Sequence, residues 1–366
     1  MEKSEKSILY DYKDIQIIRA LDTSHESRIS TKEISKELDI PSRSIRYRLT
    51  KLKENNLLKE KSIITHERKI GIREHFFAIE ENANKREEFE KVISNNPAIS
   101  WYVPTTGKYN GFLVHAISSL NAPNHPLIIM EKMKEKGIIS DYYHFEIIDY
   151  FEIGWNYDFF SLEGDWVWSW ENWYKMIIKN KTNHTFQFTF EENPPITNFD
   201  FIDIQILKFL YLSETITQKE LGIKLELSES QISRRIKSLE QNGIIRGYRT
   251  GFQPFSDTII LLFIIESKNN MKRVLDIISD IPYPKSLAHK NSTIIGLGVE
   301  IPSNDFKELL AGFHLMRNQI DSYFLQIYLK KPLFNPQNSF DLFDKNSNSW
   351  INLEKEYNIT LENFSK

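Results

Sequence analysis

Cysteine is absent from the chain, which excludes disulfides, thiolate metal sites and cysteine nucleophiles. Long apolar runs are missing as well. The longest, from Ile259 to Ile265, has the length of a strand, far short of the roughly 20 residues a membrane helix requires. The opening residues, Met1-Glu-Lys-Ser-Glu-Lys, lack the apolar stretch of a secretory signal, so the cytoplasm is the expected location, with no membrane partner. No Gly-x-x-x-x-Gly-Lys phosphate loop, His-Glu-x-x-His pair or Gly-x-Ser-x-Gly elbow occurs. Catalytic residues, metals and cofactors are therefore not expected, and the chain does not read as an enzyme. Positive charge is not in excess either: 47 Lys and Arg stand against 50 Asp and Glu. That balance excludes indiscriminate coating of nucleic acid, but local clusters decide specific binding.

What the chain does contain is apolar mass and repetition. Hydrophobic residues make up 40% and charged residues 27%, with 24 Phe, 16 Tyr and 7 Trp, a composition that supports packed cores. Its 366 residues suggest two to four domains. Asp14-Ile-Gln-Ile-Ile-Arg-Ala-Leu21 recurs as Asp203-Ile-Gln-Ile-Leu-Lys-Phe-Leu210, Ile29-Ser-Thr-Lys-Glu-Ile as Ile216-Thr-Gln-Lys-Glu-Leu221, and Ile45-Arg-Tyr-Arg-Leu-Thr-Lys-Leu52 as Ile232-Ser-Arg-Arg-Ile-Lys-Ser-Leu239. A repeat this long denotes a duplicated domain pair rather than a solenoid.

Each copy predicts three helices, at about 11–22, 31–38 and 42–55, and again at about 200–212, 218–225 and 229–242. Ile45, Leu49 and Leu52 share one face of the third helix, as do Ile232, Ile236 and Leu239. Ser42, after Pro41, and Ser228 or Ser230 are the expected N-caps. Asn55-Asn56 and Asn242-Gly243 are the expected stops. A strand pair is expected to follow in each half, completing a winged helix-turn-helix. Beyond it, strands and helices alternate as βαββαβ, at 74–80, 84–95, 98–103, 110–117, 124–136 and 138–150, then at 257–266, 270–279, 285–290, 293–301, 304–317 and 321–330. The fold class is thus α+β: two winged helix-turn-helix domains, each followed by a ferredoxin-like domain. The expected boundaries are 1–70 and 71–153 for the first half and 198–255 and 256–332 for the second. A Trp-rich tail with linker occupies 154–197, and a C-terminal tail 333–366. The tails loosely echo one another, Phe159-Phe-Ser-Leu with Trp166 to Trp173 against Phe340-Asp-Leu-Phe with Trp350, and Glu191-Glu-Asn-Pro-Pro195 is the expected linker.

Ser228-Glu-Ser-Gln-Ile-Ser-Arg-Arg-Ile-Lys-Ser-Leu-Glu-Gln-Asn-Gly-Ile-Ile-Arg-Gly-Tyr248 resembles the recognition helix and wing entry of the Lrp/AsnC family of prokaryotic regulators. Ser42-Arg-Ser-Ile-Arg-Tyr-Arg-Leu-Thr-Lys-Leu-Lys is similar. The resemblance implies a winged helix joined to a ferredoxin-like (RAM/ACT-like) regulatory domain, here present twice. It also implies self-association through the ferredoxin-like sheets, within the chain or as a homodimer, and a small-molecule effector near Thr106, Gly107, Tyr109 and Asn110, which resemble the family's Gly-Asp-Tyr-Asp turn. Asn110 departs from the family's Asp, and His289-Lys-Asn-Ser-Thr293 has lost the glycine turn. Siroheme decarboxylases are similar too and supply an alternative, enzymatic reading; a protein-binding tandem winged helix supplies another.

The expected partner is double-stranded DNA. Residues 42–61 hold seven Lys or Arg against two Glu, the clustering that phosphate contacts need. The residues expected at DNA are Ser42, Arg43, Arg46, Tyr47, Arg48, Thr50 and Lys51 in the first copy. In the second they are Ser230, Gln231, Ser233, Arg234, Arg235 and Lys237, with Arg246 and Arg249 at the wing. Arg suits guanine edges and Gln adenine edges. Because Arg46 aligns with Ser233 and Tyr47 with Arg234, the two helices would read unlike half-sites. Trp166, Trp170 and Trp173 lie at i, i+4, i+7 and predict a helix packing an aromatic face on a sheet or on the other half. Two strand histidines could meet across a sheet and bind a metal, but satisfied or exposed side chains are the expected reading of His66, His75, His115 and His144. Gly296 and Gly298 read as close packing within a strand.

Overall fold

The structure is a computed structural model that describes residues 10–22, 30–120, 122–182, 185–187, 189–212, 216–335 and 339–352, without the side chains of 59–62 and 250. The opening six residues and the end of the C-terminal tail lie outside the described residues. In chain order, the first head is α1 (Tyr12–Asp22), α2 (Thr31–Leu38), α3 (Ser42–Glu54) and β1 (Leu58–Thr65). The first sheet domain is β2 (Ile72–Glu81), α4 (Arg86–Ser94), β3 (Ile99–Gly107), β4 (Gly111–Ser119), α5 (His125–Glu135) and β5 (Ile139–Ile147), continued by β6 (Asp149–Ile153). A tail carries α6 (Trp170–Ile178). The second head is α7 (Phe201–Leu212), α8 (Gln218–Leu225), α9 (Glu229–Gln241) and β7 (Ile245–Phe252). The second sheet domain is β8 (Thr258–Glu266), α10 (Met271–Ser279), β9 (Lys285–Asn291), β10 (Ile294–Pro302), α11 (Phe306–Leu315) and β11 (Ser322–Tyr328), followed by the short strands β12 (Leu333–Phe334), β13 (Phe343–Asp344) and β14 (Ser349–Trp350).

Local chemistry explains the helix ends. Ser30 with Glu33, Thr217 with Glu220 and Ser228 with Gln231 form reciprocal capping boxes at α2, α8 and α9. Ser42 does not cap α3. Pro41 occupies the cap position, and Ser42, already helical, donates its hydroxyl to Thr31 O at 3.4 Å. Asn56 and Gly243 take left-handed backbone (φ 57° and 65°) and stop α3 and α9.

The expected wing differs in a way that matters for the architecture. Neither head forms a hairpin of its own. β1 instead pairs antiparallel with β7, with Leu58 opposite Phe252 and Ile63 opposite Tyr248. Main-chain bonds from His66 to Ile244 and from Gln253 to Leu57 continue the ribbon at both ends. Each strand satisfies its backbone groups on the other half, and α1 lies against β7 while α7 lies against β1. The two heads are therefore joined as a pair within one chain.

Below the heads, the two sheets run β5-β2-β4-β3 and β11-β8-β10-β9, both in the ferredoxin-like order. They join along both sides, β3 to β11 and β6 to β9. The expected strand over 138–150 breaks at Ile148, and its continuation as β6 crosses to the second sheet. Val103, Leu113 and Phe145 meet Leu262, Ile264 and Ala288 between the sheets, while the helices cover the outer faces. Gly298 lets Ser286 approach from β9, since a Cβ there would lie 2.4 Å from Ser286 Oγ.

The tails are duplicated, as their sequence echo suggests. Each places a short 3₁₀ turn on its own head, held by Arg19–Asp158 in one case and Lys208–Asp341 in the other. Phe160 then bridges to Trp166, and β13 pairs with β14 to set Phe343 against Trp350. The tryptophan helix is shorter than its spacing predicts: Trp166 precedes it, and α6 begins at Trp170. Trp173 is 1% exposed in the second half's core, against α11, so the first tail fastens one half to the other.

Candidate nucleic-acid interface

The third helix of each head is set by two devices that repeat. Its apolar face, Ile45 and Leu52 or Ile232, Ile236 and Leu239, is buried in the head. Its mid-helix arginine then ties it to the start of the first helix. Arg48 Nη1 lies 2.8 Å from Asp14 and 2.9 Å from Asp11, and Arg235 contacts Asp203 at 2.8 Å and Asp200 at 3.0 Å. Within each acidic pair the carboxylates also accept each other's backbone N–H. The expectation that Arg48 and Arg235 face DNA therefore meets a different placement, because both guanidiniums face carboxylates of their own head. The signal in the sequence was an Asp-x-x-Asp repeated at the start of both copies.

On α3, Arg43, Arg46, Tyr47, Thr50 and Lys51 are exposed, with Tyr47 at 70%. On α9, Ser230, Gln231, Arg234 and Lys237 are exposed, and Ser42 and Ser233 are half-buried. Gln231 Oε1 accepts from Ser228 N at 2.8 Å and from the Ser228 hydroxyl at 2.9 Å, and Ser230 lies 3.0 Å from that same hydroxyl. Both side chains are thus engaged in the cap. The helices consequently differ in charge. α3 exposes Arg43, Arg46, Lys51 and Lys53 against Glu54, whereas α9 exposes Arg234 and Lys237 against Glu229.

Arg246 and Arg249, expected at the wing, brace the heads to the sheets instead. Arg246 Nη2 lies 2.7 Å from Asp149, whose side chain is 1% exposed, and Nη1 donates to Tyr150 O at 2.6 Å. Arg249 pairs with Glu152. Beside this brace sits a small polar pocket lined by Thr65, His66, Glu67, Glu74 and Arg246 among others. Burial, reinforced by the Glu74 charge, pushes Glu67 up to about 8, and burial pushes Glu74 up to about 7. His115 Nε2 lies 3.1 Å from Glu74 Oε1, yet burial holds the ring down to about 4. The linker closes the site from outside: Glu191 N donates to Asp149 Oδ2 at 2.6 Å, and Glu191 and Glu192 lie 3.4 Å from His66 and His289.

Two of the strand histidines do meet. His75 Nδ1 and His144 Nε2 are 3.0 Å apart, and His75 Nε2 lies 2.9 Å from Ser118 Oγ. Burial holds them down to about 3 and about 4, so both rings are neutral at pH 7. Among the described residues no group of three or more His, Asp or Glu could hold a metal ion. The turn expected at an effector is occupied by the chain itself. Thr106 donates to Asn110 Oδ1, while buried Gln326 of β11 accepts from Tyr109 N at 2.9 Å and donates to Tyr109 O at 2.7 Å. Gly107 pairs in register with that same Gln326.

Comparison with known proteins agrees with this geometry. The winged helix-turn-helix DNA-binding family matches residues 10–59 and 199–246, which are the two heads. The HTH-type transcriptional regulator LrpB of Bacillus subtilis (strain 168) is 43% identical over 49 residues, 13% of this chain, and the chain spans only 33% of that protein's length. The siroheme decarboxylase NirDL has a crystal structure similar over 97% of this chain and 100% of its own, with a TM-score of 0.54 at 12% identity. E. coli AsnC is similar over 38% of this chain and 97% of its own, with a TM-score of 0.31 at 22% identity. The chain thus carries a winged helix-turn-helix DNA-binding domain twice, at residues 10–59 and 199–246.

Proposed function

We propose that the chain is a sequence-specific DNA-binding transcriptional regulator that reads two unlike half-sites, one with α3 and one with α9. The observation that carries this reading is the pair of exposed third-helix faces on heads coupled by the β1–β7 ribbon. Arg43, Arg46 and Lys51 on α3 and Arg234 and Lys237 on α9 make no ion pair among the described residues. Every other arginine of these two segments faces a carboxylate of the chain. Arg46 and Arg234 are the candidates for guanine edges, and the remaining cations suit phosphates. Residues 1–70 and 198–255 act in this reading as the DNA-binding domains, while 71–153 and 256–332 hold them at a set spacing. Duplex DNA is the partner and the cytoplasm the place of action. No helix among the described residues is long and apolar enough to cross a membrane.

Unlike outer faces on matched inner faces favour an asymmetric operator over a palindrome. The stronger positive charge of α3 supports a larger share of phosphate contact there. The similarity to a decarboxylase concerns the fold. Selection of bound sequences from a random duplex library tests the DNA reading. An enriched motif with two dissimilar halves is expected, and binding without enrichment that only weakens with salt would overturn it.

A further inference from the structure

Tyr47 is the one aromatic ring on either third helix, and the fold leaves it bare. Its side chain is 70% exposed, and among the described residues no ring, cation or hydrogen-bond partner holds it. Apolar surface of this size gains from being covered, yet α3 packs by its other side, on Ile45 and Leu52. Helix geometry sets Tyr47 in the middle of the outward row. Arg43, Tyr47, Thr50 and Glu54 follow one another at i, i+4, i+7 and i+11, opposite the buried stripe, and all four are exposed. Arg46 and Lys51 flank that row on its two sides.

The same row on α9 is Ser230, Arg234, Lys237 and Gln241, again all exposed. A ring and a methyl-bearing Thr at the centre of one row thus correspond to two cations at the centre of the other. An α-helix fits the major groove, where its N-terminal residues meet base edges. Glu54, at the C-terminal end of the row, lies beyond those contacts. Every base pair shows hydrogen-bonding groups in that groove, and thymine alone adds a methyl group. An aromatic ring or a Thr methyl against it removes apolar surface from water on both sides of the contact. A guanidinium or an ammonium gains far less there and seeks an acceptor instead. The Tyr47 hydroxyl, at the tip of the ring, suits a phosphate oxygen.

We infer that Tyr47 and the methyl of Thr50 read thymine 5-methyl groups, so that the half-site under α3 is specified in part by thymine and the half-site under α9 by hydrogen-bonding edges alone. The inference rests on the reading of α3 and α9 as recognition helices, and it names what makes their two half-sites unlike. Tyr47 takes no part in the packing of its head, so it acts on specificity and not through the fold.

The test takes the duplex enriched by selection and replaces thymine with 2′-deoxyuridine, which lacks only the methyl group, in one half-site at a time. The α3 half is the one whose protection Arg46→Ala weakens. Fluorescence anisotropy with the full, unaltered chain should show affinity falling about fourfold for each methyl removed under Tyr47, and no change for the half under α9. Tyr47→Ala should bind the thymine duplex more weakly and lose the difference between thymine and uracil, while Tyr47→Phe should keep it. Because Tyr47 is exposed, neither variant alters the packing of the head. An α3 half without thymine, equal loss from deoxyuridine in either half, no loss at all, or a difference that survives in Tyr47→Ala would overturn the inference. Those results leave the sequence-specific reading standing, whereas binding that enriches no motif overturns that reading and the inference with it.

Discussion

Replacing Arg246 with alanine tests whether this residue is a brace or a DNA contact. Its guanidinium lies 2.7 Å from the carboxylate of Asp149, which is 1% exposed, and 5.1 Å from the Phe151 ring. Breaking a buried ion pair on one side costs about 3–5 kcal/mol, because the remaining charge stays desolvated. Asp149 keeps two backbone donors in the variant, Tyr150 N at 2.8 Å and Glu191 N at 2.6 Å, so the lower end, about 3 kcal/mol, applies. The complementary Asp149→Asn leaves Arg246 with Tyr150 O and the Phe151 ring and should cost about 1–2 kcal/mol. Urea unfolding of both variants and of the double variant completes the cycle, with a coupling of at least about 1 kcal/mol expected. The salt dependence of duplex binding supplies the second readout. A brace leaves its slope unchanged, whereas loss of a phosphate contact lowers it by about 0.9. An unshifted urea midpoint together with a reduced slope would refute the placement of Arg246.

Three further predictions concern charge, pH and packing. Alanine at Arg43, Arg46 or Lys51 should reduce the log–log salt slope of duplex binding by about 0.9 each, whereas Arg48→Ala should leave the slope and lower the melting temperature, because Arg48 holds Asp11 and Asp14. The folded chain keeps protons on Glu67 to about 8 and on Glu74 to about 7 against an ordinary 4.5, so it binds more protons than the unfolded chain across that window and loses stability as pH rises through it. His66 and His75 near 3 and His115 and His144 near 4, against an ordinary 6.5, act oppositely below 6.5. Melting temperature should therefore rise to roughly pH 6.5 and fall towards pH 8, and Glu74→Gln should flatten that alkaline fall. Gly312→Ala would put a Cβ 1.9 Å from the Trp173 ring and should destabilise by about 1–3 kcal/mol in urea unfolding.

Periodicity made the elements legible. Three helices per head and a βαββαβ order per sheet domain follow from spacings of 3.6 and 2, and the helices and strands fall within a few residues of expectation. The partners of those elements were not legible. A strand's apolar pattern says which face is buried and nothing about which strand it joins, so the exchange of β1 and β7 between heads is invisible until the halves meet. The bend at Ile148 is hidden for the same reason, because β6 continues the alternation of β5 while changing sheets. Arginine fates divide similarly. Arg46 and Arg48 look alike in sequence, yet two residues along a helix turn the second away from solvent towards Asp11 and Asp14. The repeated Asp-x-x-Asp was the one local sign, and capping chemistry explains only part of its purpose. Gln231 shows how a cap competes with recognition, since the oxygen suited to an adenine amino group already accepts from Ser228.

The central claim is that one chain reads two unlike half-sites with two coupled heads. Hydroxyl-radical footprinting on the selected duplex, with the unaltered chain and with Arg46→Ala and Arg234→Ala, tests it most directly. Each substitution should weaken protection on a different half of the site while the other half stays protected. Equal loss on both halves from either substitution, or protection that neither substitution alters, would contradict it.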